Sequence, residues 1–264
     1  MVGQKVLLNK LNTFTIDTFP HSVLLLGEKG SGKHLISNYI ASDILKLPLT
    51  DISSNVSDEL IDAIYRNPNP NVYIVDLSQI TEAAQNTLLK FVEEPLNNAF
   101  VILLAENTFN VLRTIENRCI LFYMDLYTVE ELQTFITSDV NKDLLLKVAR
   151  TPGQIKSMNM DTLEDMRNVC IKMSEKLSQA SFPNTLSISN KINFKDEYDK
   201  FDLYAFMNLL TDTLYEHFLK TNTGYELYRV TQEQQQRLKD TRLNKEHFMN
   251  HLLTLLWKTS RSMR

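Results

Sequence analysis

An α/β domain built on a mostly parallel sheet, followed by a region of helices alone, is the architecture this sequence predicts. Three observations carry it. Short apolar runs alternate with helical patterns through residues 1–125. A glycine-rich loop joins the first of these runs to a helix. After residue 126 the strand signals fade, while apolar stripes at helical spacing continue.

Taken in order, "SVLLL" (22–26) reads as a buried strand, and the glycine loop leads into a helix near Lys33. Leu35, Ile36, Tyr39, Ile40 and Ile44 recur along that helix at helical spacing. The breaker-rich "RNPNPN" (66–71) introduces a second buried strand, "NVYIV" (71–75). "TEAAQNTLLKFVEEP" (81–95) is a helix: Thr81 can cap it, Ala84, Leu88, Phe91 and Val92 share a face, and Pro95 follows its end. "AFVILLA" (99–105) and "CILFYM" (119–124) are further strands. Residues 128–158 read as two or three short helices around a Pro-Gly turn. Beyond about 160, Phe206, Leu209, Leu210, Leu214 and Phe218 form one stripe, and Phe248, Leu252, Leu255 and Leu256 another. The polar stretch 181–200 reads as an exposed connection.

Composition narrows the function classes. With 43% apolar and 23% charged residues among 264, the chain can bury a core without disulfides or metals. A formal net charge of −4 argues against gripping nucleic acid by bulk charge. Cys119 and Cys170 stand far apart with no C-x-x-C, which fits a reducing compartment and excludes a four-cysteine zinc module. The start "MVGQKVLLNK" lacks the apolar stretch of a secretion signal, and no apolar run reaches membrane-spanning length. A cytoplasmic location is expected.

The stretch "GEKGSGKH" fits the phosphate-loop pattern G-x-x-x-x-G-K-[ST] except at its last position. Successive backbone N–H groups of such a loop point at phosphates, and the helix dipole and lysine add positive potential. Gly27, Glu28, Lys29, Gly30, Ser31, Gly32, Lys33 and His34 are therefore the candidate nucleotide-binding residues. Asp76, ending the strand "VYIVD", is the candidate carboxylate for a magnesium ion held through water. Two letters count against hydrolysis. His34 replaces the metal-binding hydroxyl, and imidazole is a poor magnesium ligand. Leu77 stands where many ATPases of this type carry a glutamate, and leucine cannot orient water. If these were the two defects, His34→Thr with Leu77→Glu would recover some turnover. Neighbouring Glu93 and Glu94 point different ways on a helix and read as a solvated helix end. His247 and His251 lack the glutamate of a zinc helix and read as surface histidines, so no metal site is assigned.

The run "VYIVDLSQITEAAQNTLLKFVEEPLNNAFVILLAENTFNVLRTIENRCILF" resembles the region from the metal-binding aspartate to the arginine finger in bacterial clamp-loader subunits, members of the AAA+ family. The shared residues are Asp76, Ala84, Asn86, Leu88, Leu89, Lys90, Glu93, Glu94, Pro95, Thr114, Ile115, Arg118 and Cys119. "FPHSVLLLGEKGSGK" and "ARTPGQIK" (149–156) resemble two further family segments, so the likeness covers roughly 18–158. Motor-type (gamma/tau) subunits carry an intact threonine, an Asp-Glu pair and a zinc module, all missing here. The delta-prime type commonly has a degraded nucleotide site but keeps the arginine, and is the better match. The serine of its Ser-Arg-Cys tripeptide is Asn117 here, and the zinc cysteines that many delta-prime chains carry are absent.

The resemblance implies an AAA+ P-loop domain with a parallel sheet (1–126), a small helical lid (127–160) and a C-terminal all-helical collar (161–264). Truncation after 160 is then expected to leave a soluble module that no longer assembles. It implies Arg118 as an arginine finger acting in trans, ATP or ADP with magnesium held weakly as cofactor, and no zinc. Gln154 or Lys156 would replace the family's second sensor arginine. Implied partners are the gamma/tau and delta subunits and the sliding clamp, with DNA met through the assembly and no membrane. A self-sufficient ATPase and a scaffold with a vestigial loop remain the alternatives.

Overall fold

Strands β1 (Ser22–Leu26), β2 (Leu49–Asp51), β3 (Asn71–Asp76), β4 (Ala99–Ala105) and β5 (Ile120–Tyr123) form a five-stranded sheet in the order β2-β3-β4-β1-β5. Every pairing in it is parallel. The computed structural model describes residues 2–94, 99–137, 141–179, 203–218, 222–238 and 245–262. Pro95 and the connection 181–200 lie outside the described residues.

A parallel sheet needs helices on both faces, and the period-two alternation of its strands shows where they pack. Val23 and Leu25 of β1, Val72 and Ile74 of β3, and Ile102 and Leu104 of β4 join one core. That core is closed by α1 (Lys5–Leu11) and α2 (Lys33–Tyr39) through Leu7, Leu11, Ile36 and Ile40. Leu24, Leu26, Tyr73, Val75, Val101 and Leu103 face the opposite way. They pack on α3 (Asp58–Arg66) and α4 (Glu82–Glu93) through Ile61, Ile64, Leu88, Phe91 and Val92. Burying one such side chain stabilises by about 1.5–3 kcal/mol.

Local chemistry sets the ends of these helices. Ser57 accepts from Leu60 N–H at the start of α3, and Thr81 accepts from Ala84 N–H, 3.3 Å away, at the start of α4. Thr128 and Glu131 form a reciprocal capping pair on α6 (Val129–Gln133). Thr81→Ala is expected to cost about 1 kcal/mol. Chemical denaturation of the two proteins checks it, with Thr81→Ser as the variant that keeps the bond.

Two expectations change in detail. Leu35 is 60% exposed, because α2 turns the face of Lys33, Ile36, Ser37 and Ile40 inward. The helix then widens into a π-turn at Ile40–Leu45 and stops at Lys46, whose φ is 55°. The edge strand β2 has no counterpart among the strands expected from sequence; at three residues it offers no alternation to detect. α1 and α3 are likewise additions. Ala84 is half-buried, and the polar Gln85 sits in the core-facing row of α4 instead.

Contacts divide the chain into two compact units, Met1–Phe135 with Arg150–Lys156, and Ile136–Ala149 with Ser157–Arg264. The stretch 127–160, expected as one lid, is thus shared between units. Thr151 and Gly153 bond to the glycine loop of the first, whereas Leu144, Leu145 and Val148 are buried in the core of the second. A chain cut after 160 would therefore strip those three residues of the helices that cover them.

The second unit contains α7 (Lys142–Val148), α9 (Met160–Gln179), α10 (Leu203–His217), α11 (Asn222–Arg237) and α12 (Lys245–Ser262); α8 (Pro152–Ser157) carries the Pro-Gly turn. The stripe Phe206, Leu209, Leu210 and Leu214 is buried in its core with Phe248, Leu252 and Leu256. Phe218 and Leu255 pack against that core half-buried. His247 and His251 are exposed. Among the described residues no helix is long and apolar enough to cross a membrane.

Candidate functional site

The glycine loop leaves β1 where the backbone has no room for side chains. Gly27 donates its N–H to Ala105 O at 3.1 Å, and a Cβ on Gly27 would lie 2.4 Å from Met124 Cγ. Gly30 and Gly32 take φ of +79° and +96°, which favour glycine. The loop thus has the frame of a phosphate cradle.

What surrounds the frame differs from a loop poised for a magnesium nucleotide. Lys33 is only 8% exposed, and its ammonium donates to Gly27 O at 2.6 Å and Glu28 O at 3.1 Å. Burial pushes its pKa below the ordinary lysine value, opposed by the carboxylates of Glu106, Asp76 and Glu28. Glu106, just past β4, carries no signal in the sequence; only knowledge that β4 lies beside β1 places it near Lys33. Lys29 O accepts from Thr151 Oγ1 at 2.8 Å, and Gly30 O accepts from Gly153 N–H at 3.0 Å. A Cβ on Gly30 would meet Gly153 Cα at 2.7 Å. Arg150 reaches Glu28 at 3.4 Å, and Tyr127 donates to Ser31 O at 2.8 Å. The Ser31 hydroxyl is buried with no hydrogen-bond partner. Three loop carbonyls are therefore held by groups from 127–153, the clasp that the Pro-Gly turn provides.

Of the two residues named for the second sensor position, Gln154 turns its Oε1 back to Arg150 N–H at 2.7 Å, and Lys156 is exposed. The cation that pairs with the loop is Arg150, which nothing in its sequence neighbourhood singles out.

The residues at the positions that serve metal and water are otherwise engaged. His34 Nε2 lies 3.8 Å from Asp51 Oδ2 at the β2 edge. Asp76 Oδ1 accepts from Ser78 N–H at 3.0 Å and Ser78 Oγ at 2.7 Å, while Oδ2 accepts from Gln79 at 3.3 Å. Leu77 is 3% exposed and belongs to the core under α4. The frame for phosphate is present, while His34 offers a ring nitrogen where magnesium would prefer a hydroxyl oxygen. Among the described residues no cluster of three or more His, Cys, Asp or Glu is placed to hold a metal ion.

Arg118 is at the other end of the sheet. β5 runs parallel to β1 with Val23 opposite Ile120, and Arg118 precedes the start of β5, whereas the glycine loop leaves the far end of β1 after Leu26. At about 3.3 Å per residue the paired stretch Val23–Leu26 alone puts about 10 Å between the two ends. The Arg118 Nε lies 2.9 Å from Glu93 Oε1 in an ion pair, and Nη1 donates to Thr114 O at 3.0 Å. Glu93 is therefore an ion-pair partner of Arg118, and not merely a solvated helix end. Beside it Cys119 is buried, with its thiol pushed up to about 12. The loop leading to Arg118 is pinned by buried Gln85, which donates to Asn110 O at 2.8 Å and accepts from Leu112 N–H at 3.0 Å.

Residues 51–128 match the family model described as DNA polymerase III, delta subunit. The chain is 26% identical over 176 residues to the DNA polymerase III subunit gamma of Buchnera aphidicola subsp. Schizaphis graminum, covering 54% of this chain and 48% of that protein. It is 28% identical over 135 residues to the subunit delta' of Haemophilus influenzae, covering 50% and 40%. The chain thus spans less than half the length of these two relatives. Among solved structures, a gamma subunit-related protein of DNA polymerase III from Thermotoga maritima aligns over 98% of this chain and 99% of its own, at 16% identity and a TM-score of 0.43. RuvB, a Holliday junction branch migration motor of the same organism, aligns over 64% and 63% at 21% identity and a TM-score of 0.47. The family-model match and the curated relatives thus make residues of this chain similar to subunits of DNA polymerase III, gamma and delta-prime among them.

Proposed function

We propose that this chain is a delta-prime-like clamp-loader subunit, whose own nucleotide site is impaired and whose Arg118 acts on the ATP of a neighbouring subunit. One observation carries the reading. Arg118 stands half-exposed before the start of β5, at the opposite end of the sheet from its own glycine loop. An arginine so placed can meet a phosphate only on another molecule. The engaged Asp76, the His34–Asp51 pair and buried Leu77 support the impairment. The chain would work in the cytoplasm beside gamma/tau and delta subunits, helping to open the sliding clamp and place it on primed DNA. Its second, helical unit would serve as the assembly collar.

The scaffold reading has its own support in the clasp on the loop, which holds carbonyls of Lys29, Gly30 and Ser31. Titration calorimetry of the isolated chain with ADP, with and without magnesium, separates weak binding from none. In either case we expect no magnesium-dependent ATP turnover by the isolated chain. Robust turnover would establish a self-sufficient ATPase instead. Reconstitution with the motor subunit and clamp of the same organism tests the assembly, and failure to co-purify with either would overturn it.

A further inference from the structure

Resting on the reading of Arg118 as a group that acts on a neighbour, we infer that Glu93 is the residue that positions it. Glu93 is the last residue of α4, where the helix dipole makes a carboxylate locally unfavourable. The contact that offsets this is with the Arg118 guanidinium, 2.9 Å from Nε to Oε1. Glu93 also stands on a fixed base. The Tyr65 hydroxyl of α3 lies 3.0 Å from both Lys90 O and Glu94 O and shares its one proton between them, and Lys90 pairs with Asp62 at 2.9 Å. These ties hold the last turn of α4 against α3.

The geometry divides the guanidinium into a held side and an offered end. The Nε side lies against Glu93 in the ion pair, and one Nη1 hydrogen goes to Thr114 O. The other Nη1 hydrogen and both on Nη2 form the outward fork, the arrangement that binds two phosphate oxygens at once. Among the described residues, no acceptor meets Nη2. The ion pair is too exposed, 42% on both side chains, to matter much for stability. Its effect is on orientation: an arginine already held in place loses less freedom on meeting phosphate.

The test has two arms. In the free chain, modification by p-hydroxyphenylglyoxal, mapped by mass spectrometry, reads how firmly Arg118 is held. Glu93→Ala should raise its reactivity about two- to fivefold, the range an exposed ion pair can supply. The other arginines should stay unchanged. In the complex reconstituted with the motor subunit, Glu93→Ala should lower the maximal ATPase rate by a similar factor with KM for ATP little changed. Glu93→Gln, which keeps an acceptor oxygen, should recover part of the loss. Adding Glu93→Ala to Arg118→Ala should cost nothing more. Unchanged Arg118 reactivity, or a loss in Glu93→Ala that persists on top of Arg118→Ala, would overturn the positioning role. A rate that rises in Glu93→Ala would make Glu93 a latch withholding the arginine, and would also overturn it. An Arg118→Ala complex with wild-type ATPase would overturn the finger reading itself; an impaired Arg118→Ala beside an unaffected Glu93→Ala would overturn only the part assigned to Glu93.

Discussion

Arg118→Ala, in a clamp loader reconstituted from this chain and its motor-subunit neighbour, is expected to cut hydrolysis at the abutting site by about 10³-fold. That is the lower end of what arginine fingers supply in well-studied NTPases. The guanidinium stabilises charge that develops on the transferred phosphoryl group, and no other cation is proposed to take its place. Folding should survive, because alanine removes only an exposed ion pair with Glu93 and one hydrogen bond to Thr114 O. Single-turnover ATPase resolves the affected site, whereas the steady-state rate of an assembly with other intact sites falls only by that site's share. Arg118→Lys should rescue poorly, since an ammonium keeps the charge and loses the planar fork. Equal single-turnover rates with arginine, lysine and alanine would make Arg118 an ordinary surface charge.

How much of this could be read from letters alone follows from the range of each interaction. β1, β3 and β4 were legible because a strand covered on both faces is a continuous apolar run, and theirs are bounded by Gly, Pro or Asn. Thr81 was legible because capping is settled within three residues. β2 was not: three residues at a sheet edge carry no pattern, and their pairing with β3 is set by the crossover. The glycine loop announced itself, but its clasp did not. Thr151 and Gly153 reach it across more than 120 positions, and a Pro-Gly turn looks the same wherever it docks. Glu93 shows the same limit. On its own helix it is one of two adjacent glutamates, and only the return of the chain through β4 and α5 (Arg113–Glu116) brings Arg118 within 2.9 Å.

Leu77 is where the letters and the fold diverge most in consequence. By sequence, Leu77→Glu looks like the repair of a missing catalytic base. In the fold, the side chain at 77 is 3% exposed and packs with the apolar residues under α4. A carboxylate among these apolar side chains loses its water, so Leu77→Glu is expected to destabilise the chain by about 3–5 kcal/mol, the cost of an uncompensated buried charge. That is a large part of the roughly 5–15 kcal/mol that holds a typical domain. Burial should push the new carboxyl's pKa above the ordinary glutamate range, so the folded state would bind its proton more tightly than the unfolded one. The deficit relative to the parent should therefore shrink as pH falls through that raised pKa, and be greatest above it. Urea denaturation of the parent, Leu77→Glu and Leu77→Met at several pH values measures both effects. Leu77→Met, of similar volume and apolar, should cost less than about 1.5 kcal/mol. The double change His34→Thr with Leu77→Glu is then expected to yield a weakened fold and no turnover, because Asp76 stays engaged by Ser78 and Gln79 and the clasp stays on the loop. A Leu77→Glu protein as stable as its parent would mean that position 77 can turn out of the core, leaving His34, the engaged Asp76 and the clasp as the obstacles to turnover.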